Sequence, residues 1–121
     1  MTGLFLGIDL GGSHISMRLL DRMGKVYDFL TKMDINSNCS QDELLTTLSD
    51  MVIAEQFVAQ EHGCNISAIG LASPGPLEPT TGTIMSPPNL PNIINFEVVK
   101  LLKERVGYDI FLINDADAAV L

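Results

Sequence analysis

The stretch Gly7-Ile8-Asp9-Leu10-Gly11-Gly12-Ser13-His14-Ile15 decides how the rest of the chain is read. The apolar run Leu4-Phe5-Leu6-Gly7-Ile8 leads into it, and Ile15 to Leu20 (ISMRLL) follows. Both flanks read as strands, and the first has the continuous apolar character of a buried central strand. A plain hairpin would need little more than Asn-Gly between them. Here a carboxylate, two adjacent glycines and a hydroxyl fill the connection. Glycine can take positive φ and lets a ligand approach the backbone with no Cβ in the way. N–H groups exposed by such a turn suit phosphate oxygens, and the Ser13 hydroxyl adds a donor. Asp9 suits a hydrated Mg²⁺, which keeps several waters and takes one or two carboxylates together with phosphates. The pattern is not G-x-G-x-x-G. A strand rather than a helix follows the glycines, so a Rossmann reading is poor.

Outward from this turn, Asp21-Arg22-Met23-Gly24 reads as a second turn with Gly at its last position. Lys25 to Lys32 (KVYDFLTK) reads as a third strand, which completes an antiparallel meander. The period then changes from two to 3.6. Ser40 and Glu43 form a capping-box pair at a helix start. Leu44, Leu45, Leu48, Met51, Val52 and Phe57 fall roughly on one face of that helix, and Gly63 stops it. Ile66 to Ala72 (ISAIGLA) has the look of a buried strand. The segment Ser73 to Asn92 holds all six prolines of the chain. It joins a strand to a helix, and Ile84, Met85 and Leu90 are placed to anchor it. It therefore reads as an ordered, functional loop rather than a linker. Asn95 to Gly107 is the second helix, with Asn95 as N-cap and Gly107 just past the end. Val98, Leu101, Leu102 and Val106 supply its apolar face. Asp109 to Ile113 (DIFLI) is a fifth strand, Asn114-Asp115 follows, and a third helix begins at Ala116. The chain stops inside that helix, so a longer protein is expected.

The order β-β-β-α-β-α-β-α predicts an α/β fold with a mixed five-stranded sheet, the ribonuclease-H-like or actin-like ATPase arrangement. The first strand is expected to be central, with the first, fourth and fifth strands parallel. Their carboxyl ends share one edge, where ligands of open α/β sheets bind. Three sequence-distant segments converge there: Asp9, Ser73-Pro74-Gly75 and Asn114-Asp115. At the end of its strand, Asp115 can take a proton from an attacking hydroxyl as a general base in phosphoryl transfer, and Asn114 can hydrogen-bond hydroxyls of the same substrate. Both are also ordinary helix caps, and it is the convergence of three segments that favours chemistry. Asp117 reads as a first-turn helix carboxylate, and His14 as a residue pointing out of a strand.

Composition bounds the partners. Fifteen acidic residues against seven basic ones give a net charge of -8 over 121 residues. This argues against nucleic acid and an anionic membrane surface, which need clustered basic residues. A phosphorylated ligand is still allowed, because backbone N–H groups and a metal ion can hold it. Cys39 and Cys64 form no C-x-x-C pair and have no His cluster beside them, as expected of two reduced thiols in a cytoplasmic protein. No signal peptide is visible, and no apolar run approaches the ~20 residues of a membrane span.

With these motifs in place, the chain resembles the ROK family (repressors, open reading frames and sugar kinases). GIDLGGSHI is similar to the family's first phosphate motif, with Ser13 where Thr is usual and the hydroxyl retained. Gly70-Leu71-Ala72-Ser73-Pro74-Gly75-Pro76 resembles its substrate loop. Gly82 and Pro88-Asn89-Leu90-Pro91 are similar to the Gly and PNLP that follow, and Ile113 to Ala119 resembles NDANAA with Asp117 in place of the second Asn. The resemblance spans the whole chain and keeps the order of the four motifs. It implies that Asp115 is the catalytic base and Asn114 a sugar ligand, with Gly75 and Asn89 beside the sugar. Asp9, Gly11, Gly12 and Ser13 would handle ATP phosphates and Mg²⁺, with Asp9 holding the metal through water. By the same resemblance, residues 1–121 are the N-terminal lobe of a two-lobe sugar kinase. Further sugar ligands, most of the adenosine site and a zinc-binding Cys/His motif belong to the second lobe, and the full-length protein is a homodimer. Two readings stay open: an ATP-dependent kinase of a hexose or hexose derivative, and a domain that senses a sugar without phosphorylating it. An intact Asp115 and the acidic charge favour the first.

Overall fold

The computed structural model describes residues 2–26 and 30–115. Strand β1 (Thr2–Leu10) and strand β2 (His14–Leu20) form the hairpin around the glycine turn, and β3 (Thr31–Asp34) adds antiparallel to β2. Helix α1 (Gln41–Glu61) leads to β4 (Cys64–Ser73). A small ribbon, β5 (Leu77–Glu78) with β6 (Thr83–Ile84), sits in the proline loop before helix α2 (Val98–Val106) and strand β7 (Ile110–Asn114). The main sheet is mixed and five-stranded, in the order β3-β2-β1-β4-β7. β1 is central, and it runs parallel to β4, which runs parallel to β7. The two-stranded ribbon is an addition to the expected element order. The expected third helix and Asp117 lie outside the described residues.

β1 is central but not buried on both sides. Side chains alternate along a strand. Leu4, Leu6, Ile8 and Leu10 are buried with α1 and α2, whereas Phe5 is 44% exposed and Asp9 points the same way. The second face of the apolar run contributes only Phe5 and Gly7, too little to build a core.

Among the described residues the third strand pairs with β2 from Thr31 to Asp34, two residues past its expected end, and Val26 makes an isolated bridge to Leu20; residues 27–29 of the expected span lie outside the described residues. Asp21 organises the preceding turn, its Oδ1 accepting from the N–H groups of Met23 and Lys25 at 2.9 Å each.

α1 starts where its capping box requires. The Ser40 Oγ accepts from the Glu43 N–H and a Glu43 Oε1 accepts from the Ser40 N–H, both at 3.1 Å. Leu44, Leu45, Leu48, Met51 and Val52 are buried, but Phe57 is not, at 63% exposed. The buried stripe continues instead through Glu55 and Ala59, which follow Leu48 and Val52 at helical spacing. The Glu55 carboxylate accepts from the Thr31 Oγ1 at 2.6 Å, tying α1 to the edge strand.

α2 begins two residues later than its sequence suggests, with the cap at position 97 rather than 95. Asn95 is not an N-cap: it has φ 49, a left-handed conformation that Asn tolerates. Glu97 occupies the cap position without a side-chain bond. Asn95 and Phe96 instead belong to the proline loop, where Phe96 and Ile84 exchange backbone bonds of 2.8 and 2.9 Å.

Candidate functional site

The carboxyl ends of β1, β4 and β7 meet at one edge. Asp9 stands beside Ala72, and Ala72 beside Ile113; one residue on, Ser73 stands beside Asn114. Neighbours in parallel register share a face, so Asp9 and Ile113 point to the same side. Asp115, two residues past Ile113, joins them. Asp9 and Asp115 are exposed and line a common groove of about 1010 Å³, with Gly7 and Gly70 in its floor. Two strand spacings set their lateral separation at roughly 10 Å. A phosphate-bearing ligand and an acceptor hydroxyl fit between carboxylates so spaced. Arg18 also lines this groove, and no motif singled it out. It was findable by counting outward from the turn, since the pair Asp9–Ser16 implies the pair Gly7–Arg18 on the same face.

The turn itself is tight. The Gly11 N–H donates to the His14 carbonyl at 2.9 Å, and the Ser13 carbonyl accepts from the Ile35 N–H at 2.9 Å. The Gly11 N–H is therefore committed to the hairpin and is not a phosphate donor. Among the described residues the N–H groups of Gly12 and Ser13 have no such partner, and they are the donors the turn offers. The Ser13 Oγ lies 3.3 Å from the His14 Nδ1.

Neither glycine adopts positive φ. Their need is close approach. A Cβ built on Gly12 would lie 2.6 Å from the Asn89 Cβ, and one on Gly11 would lie 3.2 Å from the His14 carbonyl oxygen.

The proline loop is ordered and seated against the same edge. A Cβ built on Gly75 would lie 2.7 Å from the Asn114 Nδ2, so the loop after β4 packs directly on the end of β7. Ile84, Leu90, Ile93 and Phe96 are fully buried, whereas Met85, expected as an anchor, is 36% exposed. The Asn92 Nδ2 donates to the Asn38 carbonyl and the Gln41 Nε2 donates to the Ile94 carbonyl, both at 2.7 Å, which fixes the loop to the start of α1. The fold thus brings Asn89 to Gly12, Gly75 to Asn114, and Asp9 and Asp115 to one groove.

Among the described residues no group of three or more His, Cys, Asp or Glu side chains gathers to hold a metal. Asp9 and Asp115 both line the groove, but at roughly 10 Å apart they would offer a metal beside Asp9 one carboxylate only. That donor set fits a Mg²⁺ that keeps most of its waters and shares phosphate oxygens, not an all-protein cage. Both cysteines are free and buried. Burial, with the Glu43 carboxylate nearby, pushes the Cys39 thiol above its ordinary range, so it is a poor nucleophile at neutral pH. No helix among the described residues is long and apolar enough to cross a membrane.

A sequence model of the ROK family matches residues 5–121. The glucokinase of Thermotoga maritima is 31% identical over 116 residues, covering 96% of this chain and 35% of that protein. A putative xylose repressor of a Caldicellulosiruptor species is 29% identical, covering 99% of this chain and 30% of that protein. The crystal structure of the ROK hexokinase from Thermus thermophilus superposes with a TM-score of 0.74 at 31% identity, over 96% of this chain and 36% of that one. The chain spans about a third of the length of these curated relatives.

Proposed function

This chain belongs to the ROK family, and from that premise we propose that it is the N-terminal lobe of an ATP-dependent kinase acting on a hydroxyl of a hexose or hexose derivative. One observation carries the reading: Asp9 in β1 and Asp115 just past the end of β7, on either side of β4, open into a single groove. The similarity to a glucokinase and a hexokinase supports it.

In this reading Asp115 accepts the proton of the attacking hydroxyl, and Asn114 orients that hydroxyl's neighbours. Gly75 and Asn89 bring the proline loop to the sugar. The Gly12 and Ser13 N–H groups and the Ser13 hydroxyl bind ATP phosphates, while Gly11 shapes the turn. Asp9 would hold Mg²⁺ through water, and the ion supplies charge neutralisation at the phosphates. Free cysteines and ATP as co-substrate fit a cytoplasmic setting.

A second reading has its own support. A repressor relative aligns with nearly all of the chain, and a sugar-sensing domain would use the same loop without chemistry. Binding alone does not need a base, so the two readings separate at Asp115. Asp115→Asn keeps shape and hydrogen bonding but removes the base. In the intact enzyme, sugar-dependent ADP release should fall by about 10²–10⁴-fold, with sugar and ATP affinity little changed. Near-normal turnover in that variant would remove the catalytic assignment and leave the sensor.

A further inference from the structure

The glycine turn and the proline loop, which the kinase reading gives to two different ligands, approach each other closely at Gly12 and Asn89. We propose that the contact between Gly12 and Asn89 couples them mechanically, so that Gly12 is a positioning residue for the sugar side as well as a phosphate-side residue. The proposal takes the names of the two ligands from the kinase reading, but the joint itself does not depend on it.

The approach leaves no room for a side chain. A Cβ on Gly12 would fall 2.6 Å from the Asn89 Cβ, 3.4 Å from its carbonyl oxygen and 3.5 Å from its Cγ. Neither Cβ nor carbonyl can turn away by a rotamer change, so relief requires the backbone of one segment to move. The neighbouring contact differs: a Cβ on Gly75 would meet the terminal amide nitrogen of Asn114, the far end of a side chain rather than a Cβ or a backbone atom.

Both sides of the Gly12 joint are backed by structure. On the loop side Pro87 is buried, the Leu90 N–H donates to the Pro87 carbonyl at 3.1 Å, and the Ile93 N–H donates to the Leu90 carbonyl at 3.0 Å. Leu90 and Ile93 are fully buried, and Asn92 is fixed to Asn38. On the turn side, the Gly11–His14 and Ser13–Ile35 bonds close the hairpin against the segment after β3. A displacement of the turn, by a ligand or by a methyl group, therefore passes to Asn89 and its neighbours rather than being absorbed locally.

The test compares backbone amide resonances of this chain in four forms: unmodified, Gly12→Ala, Ser13→Ala and Gly12→Ala/Asn89→Gly. Affinities for a hexose panel and for a non-hydrolysable ATP analogue are measured alongside. Gly12→Ala is expected to shift the amides of residues 89, 90, 92 and 93 and to weaken hexose binding about tenfold with no nucleotide present. Ser13→Ala, one residue away, is expected to weaken the ATP analogue only and to leave those amides in place. Adding Asn89→Gly removes the opposing Cβ and is expected to return the Leu90 and Ile93 amides to their unmodified positions. Loop amides unmoved by Gly12→Ala, or moved equally by Ser13→Ala, would overturn the coupling. If Gly12→Ala alone unfolds the chain, refolding in the double variant supports the joint and continued unfolding rejects it. If the unmodified chain binds neither hexose nor nucleotide in the absence of the second lobe, the amide shifts alone decide the coupling, and the kinase reading is decided separately by Asp115→Asn in the intact enzyme.

Discussion

Asp9 and Asp115 share a groove, but their replacement should fail in different ways. Asp115→Asn removes a base, and no amount of metal beside the phosphates replaces a base beside the hydroxyl. Asp9→Asn weakens the hold on Mg²⁺, so it should raise the Mg²⁺ and ATP requirement, and excess Mg²⁺ should recover part of the rate. A Mg²⁺ titration of turnover for both variants separates them; equal rescue would show that the two roles had been misassigned. At this scale the carboxylates were legible in the sequence because each follows a strand-like run and the topology delivers both runs to one edge. The glycines were legible as a turn but not for their reason. Positive φ is a local property that a sequence motif suggests. The close approach of Asn89 to Gly12 joins residues 77 positions apart (89 minus 12), and only the folded loop reveals it.

Elements were readable where the signal is local and obscured where tertiary packing overrides it. The capping box at Ser40 needs only residues three apart, and it is present as read. Ser40→Ala should cost about 1 kcal/mol, visible in thermal or urea unfolding; no change would mean that the α1 start is held by packing alone. Strand β4 shows the opposite case. Ile66 and Ile69 are both buried although they stand three positions apart, which simple alternation forbids. Between Leu4 and Phe5 the register against β4 slips by one residue, and the extra Ser67 donates its hydroxyl to the Leu4 carbonyl at 3.1 Å. Such a bulge reverses which residues face the core. The start of α2 departs from its expected position for a related reason. An Asn three residues before a helix is a plausible cap by composition, but here the backbone pairing of Ile84 with Phe96 pulls the preceding residues into the loop. The far end was clear, since Gly107 takes φ 80 and its N–H closes on the Lys103 carbonyl at 2.8 Å. Just beyond it, Lys103 pairs with Asp109 at 2.8 Å and holds that carboxyl below its usual range.

For the whole molecule, the fold class was legible because element order and strand polarity left few topologies, but the face of the sheet away from α1 and α2 was not. Phosphoryl transfer needs positioning on both sides of the phosphate and exclusion of water, and the groove of Asp9 and Asp115 is open. Residues 1–121 alone should show no sugar-dependent ATP turnover; measurable turnover in a coupled assay would mean that the site is complete within this chain. The same open face governs how a solution of the chain behaves. Phe5 is 44% exposed and Phe111 64% exposed on it, and β7 ends the sheet among the described residues. An aromatic face beside an open strand edge is adhesive, and at neutral pH the charge of -8 keeps molecules apart. That colloidal protection vanishes as acid brings the protein toward its isoelectric point near 4.4. Light scattering should therefore rise steeply on that approach, and Phe111→Lys should suppress the rise by removing an aromatic contact while moving the isoelectric point upward. Equal scattering from both proteins, each at its own isoelectric point, would place the adhesion elsewhere on the surface.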